Sequence, residues 1–450
     1  MKQKTIAIAL IMAFVFFCGK TEVQAINVVQ VPAEQIDTVY NQQVDSNGIE
    51  GWARGPQIYS EAGIVMDMDS GAILYAKNID NPHYPASITK ILTALVALEN
   101  NDLTDIVTVT PEDYKFLKRG DNHIGLKNKE QITMEDALQG TLLASGNEVA
   151  HAVGSNTEGG YEKFLTLMNE KAKELGCTNS NFTNSHGLHD DNHYTSAHDM
   201  ALIGAAAFKN ADFRRITGNK LYTIPETNIT NETRSFEHHH KMLFDWRSQY
   251  YEYCVGGKTG YTDKALNTLV TFATKDDVNL VAVVLRTHGS GNTYKDTRAM
   301  LDYAFEKFAK QPITSEMVQE EGIASVNQGV YVMLPEGVTT QQLQHTVAMP
   351  TELGDKTGSI TYTYEGQIVG KVETTVTEEY YNTLHGIEES KEEKKETRKG
   401  KKGLPTWIVI ILGVIITIIG LFLVLLGYVH YKRWQIRKRR RLRRKTKRNP

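Results

Sequence analysis

The sequence predicts an α/β protein of the layered α+β kind, and three observations lead there. Strand-like runs stand at both ends of residues 53–310 with helical periodicity between them, the pattern of one sheet covered by helices. After Pro312 the text turns to short alternating segments separated by glycine turns, which describes a small all-β domain over 313–385. Residues 405–429 carry no charge and are rich in Ile, Leu, Val and Gly, long enough as a transmembrane helix to cross about 30 Å of hydrocarbon.

Lys2 and Lys4 precede an apolar run from Ile6 to Phe17, and Val23-Gln24-Ala25 offers small residues for cleavage, so residues 1–25 read as a secretory signal peptide. Phe16-Phe17 stand before Cys18 where a lipoprotein would need small residues. Residues 26–52 are polar and read as a loose lead. Gly63 to Ala76 is an apolar run broken by Asp69-Ser70-Gly71, a hairpin signal. Pro85 favours extended geometry before it, and Ile88, Ile91, Leu92, Leu95 and Leu98 recur at helical spacing behind it, so a helix begins near Ser87. Thr133-Met134-Glu135-Asp136 resembles a capping box opening a helix toward Ala144. Ser145-Gly146-Asn147 interrupts that apolar stretch with three residues that lower helicity, which predicts a loop. Helices are expected over Tyr161–Leu175, closed by Gly176, and from Ser196 to Phe208. Gly256 to Thr262 precedes a second hairpin, Thr268–Phe272 and Leu280–Leu285 about Lys275-Asp276-Asp277, and Asp296–Phe308 reads as a closing helix.

Of 50 basic residues, twelve crowd between Lys432 and Arg448, with no acid among them. Positive charge beside a span stays cytoplasmic, so residues 430–450 are a basic inner tail, reached through a charged linker at 388–403. The expected location is a cell membrane, crossed once, with the folded part outside. Without signal peptide, linker and tail the chain holds 28 basic against 47 acidic residues, near −19, which argues against nucleic acid as a partner. Cys177 and Cys254 remain after leader removal, and sequence does not decide whether they pair.

Three polar clusters carry the chemistry. Ser87 and Lys90 are an i, i+3 pair on one helix face, with Cβ atoms about 5–6 Å apart, so an amine can reach a hydroxyl and act on it if burial or a second cation keeps it neutral. Ser145, two residues before Asn147, lies 58 residues beyond Ser87, and Lys258-Thr259-Gly260 begins a further 113 beyond Ser145, with Lys258 on a strand beside the hairpin. Ser-x-x-Lys, Ser-x-Asn and Lys-Thr-Gly in this order are the signature of penicillin-recognising serine acyl-transferases. Lys356-Thr357-Gly358 repeats the third motif but reads as a turn entering a strand. Glu237-His238-His239-His240 lacks partners at zinc spacing, and no metal or other cofactor is expected. His186 and His193 are read as loop-holding residues, and Glu148 and Asp199 as solvated or helix-start residues.

Pro85-Ala86-Ser87-Ile88-Thr89-Lys90, Ser145-Gly146-Asn147-Glu148, His186-Gly187-Leu188, His193-Tyr194-Thr195-Ser196-Ala197 and Gly257-Lys258-Thr259-Gly260-Tyr261-Thr262 resemble the low-molecular-mass penicillin-binding proteins, the serine-type D-alanyl-D-alanine carboxypeptidases, over about 55–385. The resemblance implies a β-lactamase/transpeptidase-like fold, a five-stranded antiparallel sheet flanked by helices plus a helical subdomain. It implies a nucleophile Ser87, a base Lys90 and a proton relay Ser145, with Asn147, Lys258, Thr259, Gly260 and Tyr261 binding substrate. The backbone N–H groups of Ser87 and Tyr261 would form the oxyanion hole. Peptidoglycan stem peptides ending in D-Ala-D-Ala and β-lactam antibiotics are the implied partners. His189 stands where relatives often carry an acid. A class A β-lactamase is disfavoured because no Glu lies between Glu174 and Glu226. An endopeptidase acting on cross-links and a β-lactam sensor without turnover stay open.

Overall fold

A computed structural model describes residues 33–318, 320–350 and 355–385 of the chain. The expected signal peptide, charged linker, transmembrane helix and basic tail lie outside these residues. Among the described residues no helix is long and apolar enough to cross a membrane.

The expected loose lead is in part built into the fold. It contains helix α1 (Ala33–Tyr40) and a 3-10 turn at Asp45–Gly48. Val39, Val44 and Trp52 are buried, Trp52 Nε1 donates to Leu74 O at 3.2 Å, and the buried Lys77 Nζ donates to Val39 O and Ile58 O at 2.8 and 3.0 Å. A few apolar side chains among polar neighbours give no periodicity, yet each finds a site on the sheet.

Strands β1 (Ser60–Asp67) and β2 (Ile73–Lys77) form the first hairpin. A 3-10 turn at Ala86–Thr89 leads into α2 (Lys90–Asn100). The short pair β3 (Ile106–Thr108) and β4 (Gln131–Thr133) precedes α3 (Met134–Leu142), which Thr133 caps as expected, its hydroxyl accepting from Asp136 N at 3.1 Å. Next come α4 (Asn147–Ser155), α5 (Gly160–Glu174), α6 (Ala197–Lys209), α7 (Ala211–Gly218) and the ribbon β5 (Leu221–Ile224) with β6 (Arg234–Glu237). Then β7 (Cys254–Thr262), β8 (Leu266–Lys275) and β9 (Val278–Thr287) close the sheet. Its order is β2-β1-β9-β8-β7, antiparallel throughout, so β7 is an edge strand.

Alternation along the strands gives the sheet two buried faces. Ile64, Met66, Val270, Phe272, Val281 and Val283 pack with helical residues such as Leu92, Leu138 and Met200. Val65, Leu269, Ala282 and Val284 pack with Met300, Leu301 and Ala304 of α8 (Ser290–Lys307). Each such aliphatic side chain contributes roughly 1.5–3 kcal/mol on full burial. Helix α8 starts six residues ahead of the expected Asp296, because Ser290-Gly291-Asn292 reads as a loop in isolation yet completes the turn after Gly289 at φ 86°.

The β-rich character expected after Pro312 is present, but it begins at β10 (Phe308–Pro312). Strands β11 (Ile323–Val326), β12 (Tyr331–Pro335), β13 (Gln344–Ala348), β14 (Thr357–Tyr364) and β15 (Gln367–Val376) follow. β10 pairs with β12, and the other four form a sheet ordered β11-β15-β14-β13. This segment does not separate as a unit of its own, since the chain up to Thr377 is one compact unit. Val332, Leu334, Ile360 and Val372 share a core with Trp52, Tyr75 and Phe308, and Lys371 N donates to Ser70 O at 2.6 Å. The second unit begins at Glu378, and its described part is α9 (Glu378–Leu384) and His385.

Asp296, 3% exposed, accepts from Ser60 N and Ser60 Oγ at 2.9 and 2.6 Å, and burial raises its pKa from 3.8 to about 6. A raised carboxyl binds more protons folded than unfolded, so its contribution to stability is present below about pH 4 and lost as pH rises through about 6. Asp296→Asn should therefore flatten the dependence of Tm on pH between 4 and 6, measured by thermal unfolding against the parent chain.

Candidate active site

One cleft of about 410 Å³ gathers the motifs, and Ser87, Ser145, Asn147, Thr259, Gly260 and Tyr261 all line it. Ser87 lies in the 3-10 turn, and the two residues of the sequence pair come together as expected: Lys90 Nζ is 3.1 Å from Ser87 Oγ. The same nitrogen lies 2.7 Å from Asn147 Oδ1 and 2.5 Å from His186 O. The Ser145 loop between α3 and α4 forms as predicted, with Ser145 in a left-handed conformation at φ 60°. Ala86, just before Ser87, is left-handed too, at φ 52°. Such conformations each cost about 1–3 kcal/mol for a residue with a Cβ, and they gather at working sites. Ser145 Oγ is buried and bonded to no protein atom.

Backbone approach is tightest around Ser87. A Cβ on Gly187 would overlap the Ala86 carbonyl and stand 3.0 Å from Ser87 N, and one on Gly260 would overlap Thr268 Oγ1 and stand 2.9 Å from Ser87 N. Thr268 Oγ1 on β8 donates to Pro85 O at 2.8 Å, tying the turn to the sheet. Edge strand β7 thus runs beside the Ser87 N–H, with Tyr261 59% exposed at the cleft rim.

Burial governs the charges. Lys90 and Lys258 are buried, and Lys258 Nζ donates to Thr259 O at 2.9 Å. Burial brings Lys258 down to about 7. Burial, and then repulsion from Lys258, holds Lys90 well below its ordinary value.

Several sequence readings change. Glu148 is not solvated: it is 1% exposed, and its Oε1 accepts from Ile124 N and Gly125 N at 2.6 and 3.0 Å, holding the loop whose Gly120, Asp121 and Asn122 wall the cleft. Asp199 does start a helix, but it is 1% exposed and accepts from Thr178 N, Asn179 N and Ser180 Oγ. His193 holds loops as expected, Nδ1 accepting from Thr183 N at 3.0 Å and Nε2 lying 2.8 Å from Thr89 Oγ1. The histidine run divides: His238 and His240 are buried, His240 Nε2 lying 2.8 Å from Thr271 Oγ1, while His239 lines the cleft. Cys177 and Cys254 are both free thiols. Lys356 and Thr357 lead into β14, away from the site, as expected. The walls at Asp121, His239, Lys241 and Thr293 carry no motif and were not legible in the sequence.

A five-stranded antiparallel sheet backed by helices, with a Ser-Lys pair beside an edge strand, defines a penicillin-recognising serine acyl-transferase. Residues 50–289, more than half of the chain, match the model of the D-alanyl-D-alanine carboxypeptidase family. The chain is 30% identical over 334 residues to D-alanyl-D-alanine carboxypeptidase DacA of Haemophilus influenzae, covering 70% of this chain and 81% of that protein. It is 30% identical over 259 residues to DacF of Bacillus subtilis, covering 56% of this chain and 64% of the relative's length. The structure is similar to a D-alanyl-D-alanine carboxypeptidase of Mycobacterium tuberculosis, with a TM-score of 0.52 and 31% identity over 57% of this chain and 95% of that one. A DD-transpeptidase of Streptomyces is similar at a TM-score of 0.52 and 26% identity, covering 56% and 99% of the two chains. The chain belongs to the D-alanyl-D-alanine carboxypeptidase family.

Because a Cβ at position 260 pushes on Ser87 N, Gly260→Ala should slow acylation of Ser87 by labelled penicillin roughly 10²–10³-fold, the loss seen when one oxyanion donor is removed. Thermal unfolding of the same variant distinguishes this from loss of the fold.

Proposed function

We propose that this chain is a serine-type D-Ala-D-Ala carboxypeptidase that removes the terminal D-alanine of peptidoglycan stem peptides through an acyl-enzyme on Ser87. The observation that carries the reading is the set of three neighbours around Lys90 Nζ. A neutral amine has two N–H groups and one lone pair. Asn147 Oδ1 and His186 O can only accept, so they take the two N–H groups, and the lone pair is left for the Ser87 hydroxyl, which can donate. Burial and the nearby Lys258 favour that neutral form.

Ser87 Oγ then attacks the carbonyl between the two D-alanines as its proton passes to Lys90. The oxyanion sits against Ser87 N–H and Tyr261 N–H beside Gly260. Ser145 Oγ, otherwise unbonded, relays the proton to the departing amine. Asn147 bonds the peptide amide, and Lys258 and Thr259 receive the terminal carboxylate. Water then cleaves the acyl ester and frees Ser87. β-Lactams enter the same path as acylating analogues. We further propose that residues 1–25 direct export and that 405–429 anchor the protein with its folded part outside the membrane. The basic tail and the apolar length of that run support this reading.

Full-length protein incubated with labelled penicillin should carry the label on Ser87, and with a diacyl-Lys-D-Ala-D-Ala peptide should release free D-alanine. A Ser87→Ala variant should do neither. Absence of D-alanine release from the parent chain overturns the reading, and release from cross-linked dimers alone favours an endopeptidase. Lys90→Met should lower acylation about 10²–10⁴-fold. In the parent chain kcat/KM should rise with pH as Lys90 loses its proton. It should fall again as Lys258, near 7 in the free cleft, loses the charge that holds the carboxylate.

A further inference from the structure

We infer that a second cavity, beyond the upstream end of the catalytic cleft, receives the side chain of the third stem-peptide residue and favours one that ends in both an ammonium and a carboxylate. Arg286 and Lys264 take the carboxylate, and Glu61 and Asp191 the ammonium. The inference rests on the carboxypeptidase reading above and deepens it.

The cavity measures about 340 Å³, and Glu61, Tyr84, Asp191, Lys264 and Arg286 are among its walls. It shares three chain segments with the cleft. Tyr84 stands three residues before Ser87, Asp191 three beyond Leu188 and Lys264 two beyond Thr262, and Ser87, Leu188 and Thr262 line the cleft itself. The direction of β7 fixes which part of a substrate comes there. With the terminal carboxylate at Lys258 and Thr259 and the reacting carbonyl at Tyr261 N–H, the residues ahead of the scissile bond run on past Thr262 toward the turn that leads into β8.

The charges around the cavity are held by backbone that departs from regular pairing. Between the pairs Asn267–Thr287 and Leu269–Val284, β9 carries one residue more than β8, and Arg286 falls in this bulge in a left-handed conformation at φ 51°. Bulges re-aim side chains, and a left-handed residue with a Cβ is strained, so the position is set by its surroundings. Arg286 Nε donates to Glu61 Oε1 at 2.8 Å and Nη1 to Lys264 O at 2.7 Å, which fixes the guanidinium between β1 and the turn before β8. A guanidinium has five N–H groups, so three are left for a ligand. Lys264 is exposed on that turn. Across the cavity, His189 meets the Tyr84 ring edge-on with centroids 4.7 Å apart, and its Nε2 lies 3.2 Å from Asp191 Oδ1, which holds a carboxylate at the rim. Two cations and two carboxylates around one space suit a group that carries both signs. A side chain ending in an ammonium alone leaves the Arg286 fork without its planar acceptor.

The test follows D-alanine release by the full-length parent, Arg286→Gly, Arg286→Lys and Lys264→Met from three acylated peptides X-D-Ala-D-Ala. X is meso-diaminopimelate, the same residue with its side-chain carboxyl amidated, or lysine. Glycine accepts the left-handed backbone while removing the guanidinium, and Lys264→Met lies on the exposed turn outside the bulge. The parent should favour the free diaminopimelyl peptide about tenfold in kcat/KM, mainly through KM, the scale of one charge-assisted contact. Arg286→Gly should abolish that preference and leave the lysine peptide unchanged, Arg286→Lys should restore part of it, and Lys264→Met should weaken it. An undiminished preference in Arg286→Gly overturns the inference, as does an equal loss on all three peptides, which marks a structural role. A parent chain that releases D-alanine from all three alike keeps the carboxypeptidase reading and loses this one, and a parent that releases none fails the carboxypeptidase reading itself.

Discussion

Two lysine amines buried in one cleft are the constraint on which the site depends. Neither Lys90 nor Lys258 has a carboxylate bonded to it, and each is shut away from water. Removing an ammonium from water is expensive, and two ammonium groups close together repel, so the pair is stable only if it sheds charge. Lys90, which feels both burial and the repulsion of Lys258, is held well below its ordinary value, and an amine that sheds its proton within reach of a serine hydroxyl can act as a base. The chemistry thus comes from burial that the fold enforces.

That burial is made by backbone contact more than by side chains. Gly187 and Gly260 let two other segments close on the Ala86–Ser87 peptide, and Thr268 ties Pro85 to the sheet. Ala86 and Ser145 are held left-handed, which the surrounding contacts must maintain. Glu148 does its part at a distance from the reacting atoms, fastening the loop at Ile124 and Gly125. The cleft is therefore closely packed where Ser87 sits. Two buried hydroxyls on residues that line it, those of Ser145 and Thr293, have no hydrogen-bond partner.

The part of the protein beyond α8 bears on this indirectly. The β10–β15 segment and the N-terminal lead both pack on the side of the sheet that carries Trp52, Tyr75 and Phe308, opposite the helical cluster. They brace β2 and β1, which in turn hold β9 and β8 beneath the edge strand that flanks the site. A bent or sliding sheet would move Lys258 and Tyr261 relative to Ser87, so this packing bears on geometry as well as stability.

The motifs Ser87-x-x-Lys90, Ser145-x-Asn147 and Lys258-Thr259-Gly260 were legible because each depends on residue type and local spacing. Hairpins, the Thr133 cap and the loop at Ser145 were legible for the same reason: neighbours in the chain decide them. Glu148 was misread because a charged side chain near a helix start looks solvated until the loop that encloses it is known. The lead was misread because Val39, Val44 and Trp52 have no period of their own. Helix α8 was begun late because Ser290-Gly291-Asn292 has the composition of a loop. Local chemistry along the chain thus determined which groups could react. Only the tertiary structure decided which were buried together, hence which lysine is pushed furthest from its ordinary value and which walls, at Asp121, His239, Lys241 and Thr293, line the cleft, because burial and charge coupling arise between residues far apart in sequence.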